Sequence, residues 1–303
     1  MDLEGSVVVV TGASSGIGRA TAVAFAARGA TVVCSARREE RLKELVEEIE
    51  GRGGRARAVA CDVSEWEQVQ RLATNVREEF GRCDVLVNNA GVPGGGPFAE
   101  LSLEQIESVT RINFMGVLYC TKAFLPMMLE AGRGHVVNVA SLAGRFAVPG
   151  ASVYTATKHA VVAFSEALHY EVSERGLRVT AVNPGLVATE GFPHQDALAK
   201  GRRGLVMRPE RIADVIVRVV ETGKAPEVSV PRWLSALQAV RILAPPLYRF
   251  GLSRSTRGSL RSTRVEERRG APRGRPSRLA RFARKRQNGG SLPARGGGRR
   301  WRG

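Results

Sequence analysis

The stretch "YTATK" sets a phenol and an ammonium group four residues apart, at Tyr154 and Lys158. In a helix that spacing is about one turn, so the two side chains share a face. A phenol with an ordinary pKa of about 10 is a poor base near neutrality. An ammonium beside it favours the phenolate and lowers that pKa, as proton transfer near neutral pH requires. The same pair on a solvated helix would be an ordinary surface contact, so the rest of the chain must decide between the two.

A second constellation is "TGASSGIG", Thr11 to Gly18, lying between an apolar run and a helical one. Gly12 allows a tight turn. Gly16 and Gly18 allow close approach of backbone to a pyrophosphate, which a helix N-terminus attracts. The spacing is G-x-x-x-G-x-G rather than the commoner G-x-G-x-x-G; a glycine-rich turn with no ligand is the alternative. Residues Gly12 to Gly16 also fit G-x-S-x-G, which would make Ser14 an acyl-transfer nucleophile. Two features oppose that reading: such an elbow normally follows several strands, and the histidines available are His159 and His169 within a helix and His194 in a loop. About 20 residues on, where an acid would meet a ribose 2′-hydroxyl, the chain reads Ser35-Ala36-Arg37-Arg38. Arg37 and Arg38 suit a 2′-phosphate instead, so NADP(H) is expected over NAD(H). A solvated basic helix start is the other reading, although cations are unfavourable there.

These groups need a frame. β-branched runs alternate with helix-length segments: strands at Val7–Thr11, Thr31–Ser35, 56–63, 84–91, 135–141, Arg178–Asn183 and Glu227–Pro231. Helices are expected over 17–29, Arg38–Glu50, Trp66–Phe80, Leu103–Leu129, Val153–Glu174 and Pro209–Glu221. Continuously apolar strands imply helices on both faces of a parallel sheet. The pattern predicts an α/β fold with a doubly wound, mostly parallel seven-stranded sheet.

The net charge of +17 over 303 residues is localised. Residues 251–303 carry 17 Lys and Arg against 2 Glu, leaving 29 basic and 27 acidic groups in the other 250. The first 250 residues are therefore near neutral, with the folded domain expected over 1–231. The tail, 251–303, is too poor in apolar residues for a core and is expected to be disordered, with no specific nucleic-acid partner; its charge would bind any polyanion weakly and with strong salt dependence, and a polyanion-binding protein acting through this tail is an alternative function. Cys34, Cys61, Cys83 and Cys120 lack metal-ligand spacing; Cys34 and Cys61 read as buried hydrophobes, and no metal site is expected. No secretory signal and no apolar run of about 20 residues is visible, so a cytoplasmic location is expected. Between domain and tail, "WLSALQAVRILAPPLYRF" (233–250) is apolar except for Ser235, Gln238, Arg241 and Arg249, the first three forming a narrow polar stripe. It could cover the substrate cleft, pack subunits, or lie on a membrane surface.

Taken together, "TGASSGIG", "NNAG" (Asn88 to Gly91), Asn113, Ser141, "YTATK", and "NPG" (Asn183 to Gly185) followed by Thr189 resemble the short-chain dehydrogenase/reductase family. The resemblance covers about residues 5–231, with Ser141 thirteen residues before Tyr154 as in the family. It implies hydride transfer between an alcohol or carbonyl substrate and a nicotinamide, with Asn113, Ser141, Tyr154 and Lys158 as the catalytic set. Ser141 would orient the substrate oxygen, Lys158 would also hold the nicotinamide ribose, and Asn113 would hold a proton-relaying water. The implied cofactor contacts are Thr11, Gly12, Ser14, Ser15, Gly16, Ile17 and Gly18 in the glycine loop, with Arg37 and Arg38 after the second strand. Asp62 and Val63 resemble the adenine contact, and Asn89, Ala90 and Gly91 the turn after strand four. Pro184, Gly185, Val187 and Thr189 come from the segment after strand six. One departure is Ser15, where many NADP-dependent members carry a basic residue. A homodimer or homotetramer is implied, and the substrate itself is not legible.

Overall fold

The structure is a computed structural model that describes residues 1–190, 206–224, 226–231 and 233–250. Among these, seven strands form one sheet in the order β3-β2-β1-β4-β5-β6-β7, and every pairing is parallel. The strands are β1 Val7–Thr11, β2 Thr31–Ala36, β3 Arg55–Ala60, β4 Val85–Asn88, β5 Gly134–Val139, β6 Leu177–Pro184 and β7 Glu227–Val230. Strand order reverses between β1 and β4. That switch point leaves a crevice beyond the strands' carboxyl ends, where ligands of such sheets bind.

The helices are α1 Gly16–Ala26, α2 Glu39–Gly51, α3 Trp66–Phe80, α4 Leu103–Thr110, α5 Gly116–Ala131, α6 Ser152–Val172, α7 Pro209–Thr222 and α8 Leu234–Leu243. They cover both faces. One core gathers Phe25 of α1, Leu42 and Leu45 of α2, and Ile216 of α7 against the sheet. The other gathers Leu72 of α3, Phe124 and Met128 of α5, and Leu168 of α6. Central strands β1 and β5 are buried along their whole length, as helices on both faces require, and β5 buries His135 and Asn138 among its valines against Thr180 and Ser165. Strand β3 departs from the expectation of continuous apolarity. It is an edge strand, and Arg55 and Arg57 alternate outwards with partly buried neighbours.

Two more differences from the sequence reading bear on the site. The third and fourth strands end at Ala60 and Asn88, so Asp62, Val63, Asn89, Ala90 and Gly91 lie in the turns beyond. The single helix expected from Leu103 is interrupted by a π-turn, Arg111–Met115, between α4 and α5. Among the described residues, the run Leu103–Ala131 is long and apolar enough to cross a membrane. Half of its apolar window is buried, and Phe124, Met127 and Met128 supply the core, so here it is a core helix. All four cysteines are free and buried, and burial pushes the Cys34 thiol up to about 12 and that of Cys61 to about 11.

Candidate active site

A cleft of about 930 Å³ opens at the switch point. The glycine loop forms one wall. Gly12 has φ +67° and Gly16 φ +56°, a backbone region that side chains disfavour. A Cβ on Gly18 would stand 2.3 Å from the Gly12 carbonyl and 2.4 Å from Asn89 Nδ2. Gly18 is thus required by packing of α1 onto its own loop, and the expectation that it opens the backbone to a pyrophosphate gives way to that. Asn89 staples the loop by donating from Nδ2 to the Thr11 carbonyl at 2.9 Å. The Thr11 hydroxyl accepts from the backbone N–H of Asn89 at 3.0 Å and of Ala90 at 3.1 Å. Helix α1 has no acid in its first turn, so its positive end faces the cleft uncompensated.

The two arginines after β2 part company. Arg38 donates to Ser14 Oγ from Nε at 3.2 Å and Nη2 at 3.0 Å, and to Ser15 Oγ at 2.8 Å. Arg37 turns towards Asp62, 3.7 Å away. Asp62 also accepts from the backbone and hydroxyl of Ser64 at 3.0 and 2.7 Å. The expected clamp of Arg37 with Arg38 is therefore not one unit. With Ser14 held by a guanidinium, which stays protonated and cannot serve as a base, the nucleophile reading loses its chemistry. His194, which that reading needed, lies outside the described residues.

Opposite the glycine loop, the turn after β5 presents Ser141, and α6 presents Tyr154 and Lys158; all three line the cleft. Ser141 and Tyr154 are hydrogen-bonded to each other through their side chains. Ser141 Oγ also accepts from the Ala143 N–H at 3.1 Å, which caps the short turn Leu142–Gly144. Lys158 is 5% exposed, donates to the Val139 carbonyl at 2.9 Å, and lies 5.8 Å from the Tyr154 ring centre. Burial pushes the Lys158 ammonium down to about 8. Burial also raises the Tyr154 phenol above its ordinary value, against a smaller opposing effect of Ser141. The sequence predicts the reverse shift for Tyr154. In the protein alone, desolvation disfavours both charged forms, and at Tyr154 it outweighs the opposing hydrogen bond to Ser141.

Asn113 is fully buried in the π-turn. Its Oδ1 accepts from the Val92 N–H at 2.7 Å and its Nδ2 donates to the Val92 carbonyl at 2.9 Å. The side chain thus ties the segment after β4 to the helix. A Cβ on Gly91 would fall 3.2 Å from Asn113 Oδ1 and 3.6 Å from Lys158 Nζ, so Asn113 lies behind the part of the cleft that Gly91 and Lys158 line. At the third wall, the Gly185 N–H donates to Val230 at 2.8 Å and Val187 bridges Met207. That pairing sets Thr189 against Gly16, whose added Cβ would stand 3.0 Å from Thr189 Cγ2. Ile17, Val63 and Pro184 complete the frame, with Val63 buried against Gly116.

Two neighbours were missed from sequence. Arg41 and Glu190 form an ion pair at the cleft mouth, 149 positions apart in the chain. Arg41 had a signal of its own, its i,i+3 spacing from Arg38. A buried polar chain of Asn88, Thr121, Asn138 and Ser165 behind β4 was equally illegible.

The donor set fits a nicotinamide dinucleotide. A helix N-terminus and glycine loop suit the pyrophosphate, Arg38 suits an anion at one end, and Lys158 with Tyr154 suits a polar oxygen at the other. Residues 6–197 match the model of the short chain dehydrogenase family. The chain belongs to that family. It is 36% identical over 223 residues to the 3-oxoacyl-(acyl-carrier-protein) reductase FabG of Thermotoga maritima, covering 72% of this chain and 91% of the relative. It is similar in structure to an actinorhodin polyketide ketoreductase with NADPH, at TM-score 0.71 and 35% identity over 75% of this chain and 95% of the other. A short chain dehydrogenase/reductase from Burkholderia phymatum in complex with NAD aligns at TM-score 0.73 and 30% identity, covering 82% and 96%.

Proposed function

We propose that this chain interconverts a ketone or aldehyde and its alcohol, with NADP(H) preferred and NAD(H) accepted, and that it works chiefly as a reductase on a lipophilic carbonyl compound. The observation that carries this reading is the meeting of Ser141, Tyr154 and Lys158 on the cleft wall opposite the glycine loop. A bound nicotinamide dinucleotide supplies the reducing equivalents. Tyr154, kept neutral by burial, donates its proton to the carbonyl oxygen as negative charge develops there. Ser141 orients that oxygen. Lys158, mostly protonated at pH 7 with a pKa near 8, stabilises the phenolate left behind, and Asn113 at the floor supports return of a proton from solvent. Leu142, Val148 and Ile112 line the cleft and favour an apolar substrate body. β-Ketoacyl thioesters head the candidates, because similar proteins carry ketoreductase names. We further propose a homodimer or homotetramer in the cytoplasm.

The test follows NADPH absorbance across ketones, aldehydes, steroids and acyl thioesters. Tyr154→Phe should lower kcat by about 10²- to 10⁴-fold while NADPH binding persists. A Tyr154→Phe enzyme that keeps most of its turnover, beside a Ser14→Ala enzyme that has none, would falsify the reading.

A further inference from the structure

Arg38 caps α2 and lines the cleft, and Arg41 follows three residues later in the first turn of the helix. Both reach one carboxylate. Arg38 Nη1 lies 3.2 Å from Glu190 Oε2, and Arg41 Nη1 lies 2.7 and 2.6 Å from the two Glu190 oxygens. Among the described residues, Glu190 is the one acid in ion-pair contact with either arginine. Glu190 lines the cleft and comes from the segment after β6, next to Thr189 at the glycine loop. Arg38 bonds Ser14 and Ser15 at the same time, so the carboxylate and the loop meet around one guanidinium.

We propose that Glu190 determines cofactor specificity: its carboxylate occupies, as an internal anion, the seat that Arg38 and Arg41 offer to a cofactor 2′-phosphate, and Arg41 is the second ligand of that phosphate. This deepens the reading of the chain as an NADP(H) enzyme and rests on it. A phosphate monoester carries about two negative charges and three acceptor oxygens, against one charge and two oxygens on a carboxylate. It can satisfy both guanidinium groups and displace Glu190. A ribose 2′-hydroxyl brings no charge and has no need to displace the acid. Glu190 can instead accept from that hydroxyl, the role an acid at the end of β2 has in NAD-binding sheets. One residue then both restrains NADP(H) affinity and keeps NAD(H) acceptable. The carboxyl is held below its usual range, first by Arg41 and then by Arg38, so it is charged throughout the neutral range.

The test is a fluorescence titration of the full-length chain with NADPH and with NADH. Glu190→Gln should tighten NADPH by about two- to fivefold for each ion pair released, the range of exposed pairs, and should leave NADH unchanged or weaker. The gain should shrink as salt is raised. Arg41→Ala should weaken NADPH selectively. These side chains are exposed, and a matched thermal melt checks that each variant folds. The inference is overturned if Glu190→Gln leaves the NADPH-to-NADH ratio where it was, while the parent prefers NADPH and Arg38→Ala abolishes that preference. If the parent shows no preference for NADPH and Arg38→Ala changes nothing, the underlying NADP(H) reading falls and the inference falls with it.

Discussion

Lys158 is an ammonium group taken out of water with one carbonyl as its recorded hydrogen-bond partner, so the charged form is costly to keep. Its folded pKa of about 8 lies below the roughly 10.4 of a free lysine. Between those values the unfolded chain holds a proton that the folded chain has lost. Unfolding free energy therefore rises with pH across that window, and the cost of charging Lys158 is fully present below it. Lys158→Met should be more stable than the parent at pH 7, should lack the rise between about pH 8 and pH 10, and should have lost turnover. Urea melts at several pH values measure this; an equal pH slope in the two proteins would sink it. The Tyr154–Lys158 pair was legible because helical spacing alone puts two residues on one face. The direction of the Tyr154 shift was not, because it depends on how much of each neighbouring element covers the pair. The Arg41–Glu190 pair shows the same limit: a contact between α2 and the segment after β6 leaves no mark on local spacing.

At the scale of elements, α8 turns two of its polar residues to the body: Gln238 reaches Glu227 at 3.4 Å, and Arg241 donates to the Arg145 carbonyl and meets His159 Nε2 at 3.1 Å. Ile242 and Leu243 are 73% and 81% exposed. The sequence leaves three roles open for this segment, namely covering the cleft, packing subunits or lying on a membrane surface. Polar partners for it come from β7 and the turn after Ser141. Glu227 already takes Arg145 Nε at 2.8 Å and Asn183 Nδ2 at 2.5 Å. Arg145 ends the short turn that Ser141 caps, and His159 follows Lys158 in α6. We propose Arg241 as a positioning residue for the wall that carries Ser141, Tyr154 and Lys158. Arg241→Ala should lower kcat by about 10- to 100-fold, as small misplacements of reacting groups do. NADPH affinity and melting temperature should change little, and Arg241→Lys should recover part of the rate. An unchanged kcat in Arg241→Ala would remove α8 from the catalytic argument. The π-turn Arg111–Met115 is a second element the sequence concealed. An apolar period of 3.6 continues on either side of it, and the cue is the long-range tie of Asn113 to Val92, which no periodicity contains.

For the whole molecule, the charge and the chemistry separate along the chain. Every residue in the proposed site lies before position 191, the sheet closes at Val230, and residues 1–247 form one compact unit. The +15 of residues 251–303 belongs to none of these. A chain cut after Phe250 should fold and keep its kcat and its NADPH affinity. It should also lose retention on a polyanion such as heparin, because the net charge that remains is +2. In the full chain that retention should fall steeply with added salt, as binding carried by counterion release does. Exposed Ile242 and Leu243 make a separate case. If they meet anionic lipid, Ile242→Glu with Leu243→Glu should release the protein from anionic vesicles while turnover on a soluble substrate persists. If they meet a second subunit, the same pair should lower the mass seen by light scattering and leave vesicle binding alone. The double variant and the truncation, measured for turnover, heparin retention, vesicle co-sedimentation and mass, assign each feature to its own part of the chain. Loss of turnover on removing residues 251–303 alone would show that the basic tail takes part in the chemistry, and would return an anionic partner to the account of what this enzyme does.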